Sequence, residues 1–291
     1  MSTDRCVNSV VDYIVIQHII FNRFLSLYPN FKIWLVDAFT STPFAGNPAG
    51  VCLVKEFPKT EMMQQIAAEL NWSETTFVVQ KSPEHFHIRW FSPRDEAPLC
   101  GHATLAAAHV LWNQGKAKTN LITFDSLGGP LTAQKDQSWI TLNFPARLVT
   151  PCPMPEILHH ALGDVIAQSV YKDDVLYLVM LGDAEEVRTL TPNLSLIEEM
   201  DCRAIIVTAP GEAPYDFESR YFAPKVGIPE DPVCGSAHCR LVPFWSDLLG
   251  KTELLAYQSS KRGGILKVAL EGERVSLSGQ AVTVCEGIFK F

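Results

Sequence analysis

The chain of 291 residues lacks the common signatures of cofactor and nucleophile chemistry. It has no G-x-x-x-x-G-K-[ST] run and no G-x-G-x-x-G after a strand-like segment, so the usual phosphate cradles of nucleotide cofactors are missing. It has no G-x-S-x-G, which removes the exposed serine of a hydrolase elbow. Eight cysteines are scattered at 6, 52, 100, 152, 202, 234, 239 and 285, with no C-x-x-C pair and no dense disulfide framework. Reduced thiols, many of them buried, and a cytoplasmic protein are the expectation. Cys234, His238 and Cys239 are close together, but helical offsets of four and five do not put all three on one face, so no metal is expected. The 24 basic residues fall short of the 32 acidic ones, giving a net charge of −8, and no basic run stands out. That balance argues against nucleic acid as a partner.

A long uninterrupted apolar run is also missing. Residues 10–28 are rich in Val, Ile, Leu and Phe, but Asp12, Gln17, His18, Asn22 and Arg23 break them up. The segment is too interrupted to span a membrane and lacks the layout of a secretory signal. It reads as part of an N-terminal extension, residues 1–31, forming an amphipathic surface helix.

What the chain does have is one motif written twice. Phe91, Pro93, Arg94 and an acidic, proline-bearing loop lead to Cys100-Gly101-His102. Phe222, Pro224, Lys225 and a similar loop lead to Cys234-Gly235-Ser236. The two Cys-Gly pairs stand 134 residues apart, close to half the chain. With 47% hydrophobic and 19% charged residues, the chain is long enough for two ordinary domains. A duplicated domain follows, with a chemical site between the copies.

Pattern places strands at 32–39, 51–54, 75–79, 86–91, 121–124 and 139–144, and a helix over 60–70 capped by Thr60 and stopped by Asn71. Residues 40–48 hold Pro43, Gly46, Asn47 and Pro48 and read as a loop. Residues 102–112 have no formally charged side chain on any face, which predicts a buried helix inside a curved sheet. Three prolines in 148–155 mark a connection between domains. A second round then follows: strands at 175–181, 204–208 and 218–222, helices at 194–200 and 236–249, and strands at 266–270, 274–278 and 281–291.

Each Cys-Gly pair opens a helix, where free backbone N–H groups and the positive end of the dipole suit a carboxylate. Taken alone, such a pair is equally an ordinary turn. Glu74 lies between a helix end and a strand start. Its neighbours Trp72, Phe77 and Val78 offer a dry setting that suits a general acid or base, although an exposed glutamate is the common case. His102, in the first helical turn, is a proton relay or a bonded core histidine. Asp231 is a brace for the second loop, and Ser236 a helix cap.

These residues resemble those of the PhzF family of phenazine-biosynthesis-like proteins. The likeness rests on Val36-Asp37-Ala38-Phe39-Thr40 with Gly46-Asn47-Pro48-Ala49-Gly50, and on Ser73-Glu74-Thr75-Thr76-Phe77. It continues through Cys100-Gly101-His102-Ala103-Thr104, the run from Glu230 to His238, and Arg262-Gly263-Gly264. It covers nearly everything from Lys32 on. The resemblance implies an α+β, diaminopimelate-epimerase-like fold, with two pseudo-symmetric halves that each wrap a mixed barrel around a central helix. The halves are expected at 32–148, completed by the C-terminal strand, and 149–291. It implies no cofactor, a homodimer and a small carboxylate metabolite as partner. The family's best-understood activity isomerises trans-2,3-dihydro-3-hydroxyanthranilate by moving a proton. Its catalytic glutamate maps onto Glu74, and its assisting residues onto His102, Asp231 and Ser236. Asn47, Gly101 and Gly235, with Cys100 and Cys234 beside them, would hold the substrate.

Two departures stand out. Both helix starts carry cysteine, where the phenazine enzyme lacks a thiol pair, and related epimerases and proline racemases use two opposed thiols. Arg240 sits early in the second helix, where relatives tend to have a small residue, and needs a partner. Three readings therefore stand: isomerisation through Glu74, two-thiol racemisation through Cys100 and Cys234, and a non-catalytic metabolite-binding or scaffold protein.

Overall fold

The computed structural model describes residues 30–163 and 165–290. The amphipathic helix expected within residues 10–28 lies outside them. Among the described residues an 18-stranded sheet curves around two central helices, Gly101–Asn113 and Gly235–Leu249.

The duplication is exact at the level of strand pairing. In the first half, Asn30–Ala38 pairs antiparallel with Asn47–Val54, which pairs parallel with Glu74–Ser82. Antiparallel His85–Phe91, parallel Leu121–Asp125, then antiparallel Leu131–Asp136 and Trp139–Pro145 follow. In the second half Ser169–Lys172, Leu176–Met180, Ala204–Pro210, Phe217–Ala223, Glu253–Gln258, Gly264–Glu271 and Arg274–Gly279 repeat the same series of directions. The last strands of the two series pair with each other, Pro145 opposite Arg274 and Ile140 opposite Gly279. The C-terminal strand Ala281–Lys290 returns to pair with Asn30–Ala38.

Each half contains two parallel pairs, each requiring a crossover; the central helix lies in one of them, and outer helices make the other. The first outer crossover is the helix Thr60–Leu70, which buries Met63, Ile66 and Ala67 against Phe77 and Phe91. The second uses the helices Ala184–Thr189 and Leu194–Glu199, covering Val179, Ile205 and Val207. The first central helix buries residues all round, as its uncharged composition requires. In the second, Trp245 stacks on Phe217 at 5.6 Å and donates its indole N–H to Thr208 at 3.0 Å.

Pro243 stands inside the second central helix. It has no N–H to give the carbonyl of Cys239, four residues earlier. The backbone N–H of Arg147 takes that carbonyl instead, at 2.9 Å. The vacancy that proline leaves in the helix thus anchors the connection between the halves.

Several local expectations need correction. Asn47 and Pro48 are not loop residues: they begin the strand Asn47–Val54, because the turn closes one residue earlier at Gly46, whose φ is +64°. Thr60 is the first helical residue rather than the cap; Lys59 stands at the cap with no side-chain bond. Asn71 does end that helix, in the left-handed conformation. The connection at 148–155 carries a two-residue strand, Thr150–Pro151. The strands Leu131–Asp136 and Glu253–Gln258, and the helices Glu156–Ala161 and Ala184–Thr189, had no reading in the pattern.

Candidate active site

The two central helices point their N-termini at each other. A methyl placed on Gly101 would lie 3.7 Å from the α-carbon of Gly235, and one on Gly235 would lie 3.7 Å from that of Gly101. Cys100 and Cys234 stand at the caps, in extended conformation, with no side-chain capping bond. Among the described residues the backbone N–H groups of Gly101, His102, Gly235 and Ser236 have no hydrogen-bond partner. Four free donors and two dipole ends therefore converge on one place, an anion-binding arrangement. Gly101, Gly235 and Ser236 line a cleft of about 520 Å³ between the halves, with Leu99, Asp173 and Arg240 on its walls.

Glu74 is carried to these turns by the parallel strand pair, in which it stands opposite Ala49. Gly50, next along, is tight against Trp72: a methyl there would come within 2.7 Å of the indole. Trp72 thus covers the strand beside Glu74. The Glu74 side chain is 13% exposed and accepts from His102 Nε2 at 3.1 Å. Asn47, fully buried, donates through Nδ2 to Asp231 Oδ1 at 2.7 Å and to the carbonyl of Val233 at 3.0 Å. The same Nδ2 is 3.3 Å from His102 Nδ1. Cys100 Sγ lies 3.5 Å from that Nδ1. Asn47, Glu74, Cys100, His102 and Asp231 therefore form one connected cluster spanning both halves.

Charges in this cluster act on one another. Burial opposes protonation of His102, but Cys100 and the Glu74 carboxylate outweigh it and raise the imidazole well above its usual value. Burial, helped by Glu74, raises the Cys100 thiol. Burial and then Asp231 push the Cys234 thiol well above the usual range. Asp231 itself is raised to about 6, by burial first, with His102 lowering it and Glu74 raising it. His238 stays neutral, lowered to about 4 by burial, with Nδ1 bonded to the Cys234 carbonyl at 2.8 Å.

Asp231 braces the second loop as expected, accepting also from the N–H of Val233 at 3.2 Å. Ser236 is no cap: its hydroxyl lies 3.2 Å from Cys234 Sγ, and its side chain is exposed to the cleft. Arg240 has the partner it needs. It donates to Asp173 Oδ2 at 2.6 Å and to the Ser236 carbonyl at 3.0 Å, tying the hairpin beside the cleft to the second turn.

Gln258 had no signal in the sequence. Fully buried, it accepts from the N–H of Cys234 at 2.8 Å and donates to the Asp231 carbonyl at 2.6 Å, clamping both ends of the second loop. Arg262 performs a similar task for the first loop. It donates to Asp37 at 2.7 Å and to the carbonyls of Ala45 and Gly46 at 3.0 and 2.8 Å.

The raised Asp231 gives stability a definite pH dependence. Its folded value exceeds the unfolded one, so its contribution is full below the unfolded value and is lost as pH rises through about 6. Asp231→Asn should therefore gain stability relative to the parent between pH 4 and 7, by up to about 3 kcal/mol. Urea denaturation at several pH values measures it; a difference independent of pH would contradict the shift.

Two barrels around two opposed helices, with free helix-start amides and an acid–base cluster between them, are the architecture of the epimerase-like fold. The comparisons agree. The family described as "Phenazine biosynthesis-like protein" matches residues 36–287. An uncharacterized isomerase of Halalkalibacterium halodurans is 46% identical over 87% of this chain and 96% of its own. The crystal structure of a PhzF-family protein from Enterococcus faecalis superposes with a TM-score of 0.86 at 39% identity, covering 90% of this chain and 99% of that one. A hydroxyproline epimerase from Agrobacterium vitis shares the fold, with a TM-score of 0.61 at 10% identity over 90% of this chain and 92% of its own. The chain belongs to the PhzF family.

Proposed function

We propose that the protein is a cofactor-independent isomerase that shifts a proton on a small carboxylate, with Glu74 as the acid–base group. The observation that carries this reading is the 3.1 Å contact between Glu74 and His102 beside the paired helix starts. The free amides of Gly101, His102, Gly235 and Ser236 bind the carboxylate. They also steady the negative charge that develops when a proton leaves carbon. Glu74 takes that proton. The electron pair moves through the conjugated system, and the proton returns at another carbon. His102, whose proton affinity is raised by Cys100 and then Glu74 against the effect of burial, directs Nε2 at the Glu74 carboxylate, holds it in place and relays the proton. Asn47, held by Asp231 of the other half, lies against the His102 ring.

Two-thiol racemisation fits less well. It needs one thiol to ionise readily, and here burial first, then the Glu74 and Asp231 carboxylates, raise the Cys100 and Cys234 thiols, with His102 acting the other way on Cys100.

The direct test is incubation with trans-2,3-dihydro-3-hydroxyanthranilate and a panel of small unsaturated carboxylates in D₂O, followed by NMR. Deuterium on carbon in an isomer of the substrate is the expected result. Absence of both exchange and isomer across the panel would sink the reading.

The carboxylate-binding part makes its own prediction. A methyl at Gly101 meets only ordinary contact distances, 3.7 Å to Gly235 and to Phe144, so Gly101→Ala should fold with unchanged stability. The methyl nevertheless enters the gap between the two helix starts. Affinity for a carboxylate ligand, measured by calorimetry, should fall at least about tenfold, the cost of a carboxylate losing charge-assisted bonds. Unchanged affinity would place the carboxylate elsewhere.

A further inference from the structure

The acid–base cluster has a second chemical capacity. Glu74, Cys100 and His102 each offer one ligand atom, and these atoms all lie within 4.8 Å of one another. Glu74 Oε2 is 3.1 Å from His102 Nε2, which is 4.0 Å from Cys100 Sγ. The edges of a tetrahedral zinc site with nitrogen, oxygen and sulfur ligands measure roughly 3.3–3.6 Å, as the bond lengths dictate. A movement of a few tenths of an ångström brings the Glu74–His102 edge to that size; Cys100 Sγ now lies nearer Nδ1, at 3.5 Å, and its side chain turns to reach an ion held on Nε2.

We propose that Glu74, Cys100 and His102 form a site for a thiophilic divalent cation, Zn²⁺ above all, whose binding blocks the active site. Donor type supports it: thiolate, imidazole and carboxylate are the zinc ligand set. Charge supports it too. One thiolate and one carboxylate neutralise a 2+ ion, so no net charge is buried. The three ligands come from a strand start held by its parallel pairing, opposite Ala49, and from the start of the first central helix.

Binding forms metal–sulfur, metal–nitrogen and metal–oxygen bonds. It breaks the S–H bond of Cys100 and the N–H bond that His102 directs at Glu74, and both protons pass to solvent. No oxidant or reductant enters. The inhibitory consequence rests on the proton-transfer reading, because Glu74 bound to a cation cannot accept a proton from carbon. Cation binding itself does not depend on that reading.

Titration of the intact protein with Co²⁺, followed by absorbance, tests the site without a substrate. The expected result is one Co²⁺ per chain, with a thiolate-to-metal charge-transfer band and the intense visible bands of tetrahedral cobalt, both displaced by Zn²⁺. Cys100→Ser should abolish the charge-transfer band and weaken Zn²⁺ binding at least about tenfold. Glu74→Gln should weaken Zn²⁺ binding while keeping the band, which guards against a folding defect in the cysteine variant. Cys285→Ser, which removes an exposed thiol, should change neither. A band that survives Cys100→Ser, or vanishes with Cys285→Ser, overturns the proposal. If the cobalt spectra appear as described but no substrate is ever isomerised, the cation site stands and the isomerase reading fails.

Discussion

Glu74→Gln should lower turnover and carbon-bound deuterium exchange by about 10²–10⁴-fold, the usual contribution of a positioned general acid–base group. Ligand affinity should change only a few-fold, because the carboxylate of the substrate is held by the helix-start amides rather than by Glu74. The substitution keeps shape and volume. It leaves His102 Nε2 an acceptor oxygen, replacing the 3.1 Å ion pair with a neutral bond. Solvent-deuterium NMR for exchange and calorimetry for binding separate the two effects. Full activity in the variant would exclude Glu74 as the base. Retained activity in Glu74→Gln with loss in Cys100→Ser and Cys234→Ser would revive the two-thiol mechanism.

Arg188→Ala should cost the second half roughly 1–3 kcal/mol, the penalty for leaving a buried acceptor unpaired, reduced by the partial exposure of the guanidinium. Glu218 is fully buried on the strand Phe217–Ala223, and Arg188 reaches it from the crossover helix Ala184–Thr189. The guanidinium donates to both carboxylate oxygens, with Nε to Oε2 at 2.9 Å, and to Glu212 at 3.0 Å. Without it the buried Glu218 carboxyl loses the guanidinium that pairs both of its oxygens. The loss appears as a lower urea midpoint. Adding Glu218→Leu to the variant should recover most of the difference, since no buried charge then remains. A loss under about 1 kcal/mol in the single variant would mean that solvent or a neighbour replaces the guanidinium.

Much of the architecture was open to reading along the chain because each signal was local. The Cys-Gly repeat marked the duplication. The uncharged run at 102–112 could only be a helix buried on every side. Asn71 and Gly46 marked turns through their tolerance of positive φ. Errors fell where two local rules competed or where a partner was distant. Pro48 next to Asn47 looked like a loop, yet its missing N–H does not prevent the strand from starting there. Ser236 had the composition of a cap, but the helix starts with extended cysteines and leaves its amides free. The strand Glu253–Gln258 was missed, and with it the clamp that Gln258 places on the second loop.

The site shows the same division. The resemblance to the PhzF family singled out Glu74, His102 and Asp231, and the repeat paired the two Cys-Gly turns, because such motifs leave marks in short windows. Those marks contain no distances. Only the folded chain brings Asn47 of the first half onto Asp231 of the second, 184 residues away, at 2.7 Å. Only there does Glu74 meet His102, and only there does burial, with two carboxylates, raise both thiols while Cys100 and Glu74 raise His102. Proton affinity depends on burial and on the charges a few ångströms away, and neither exists until the two halves close on each other.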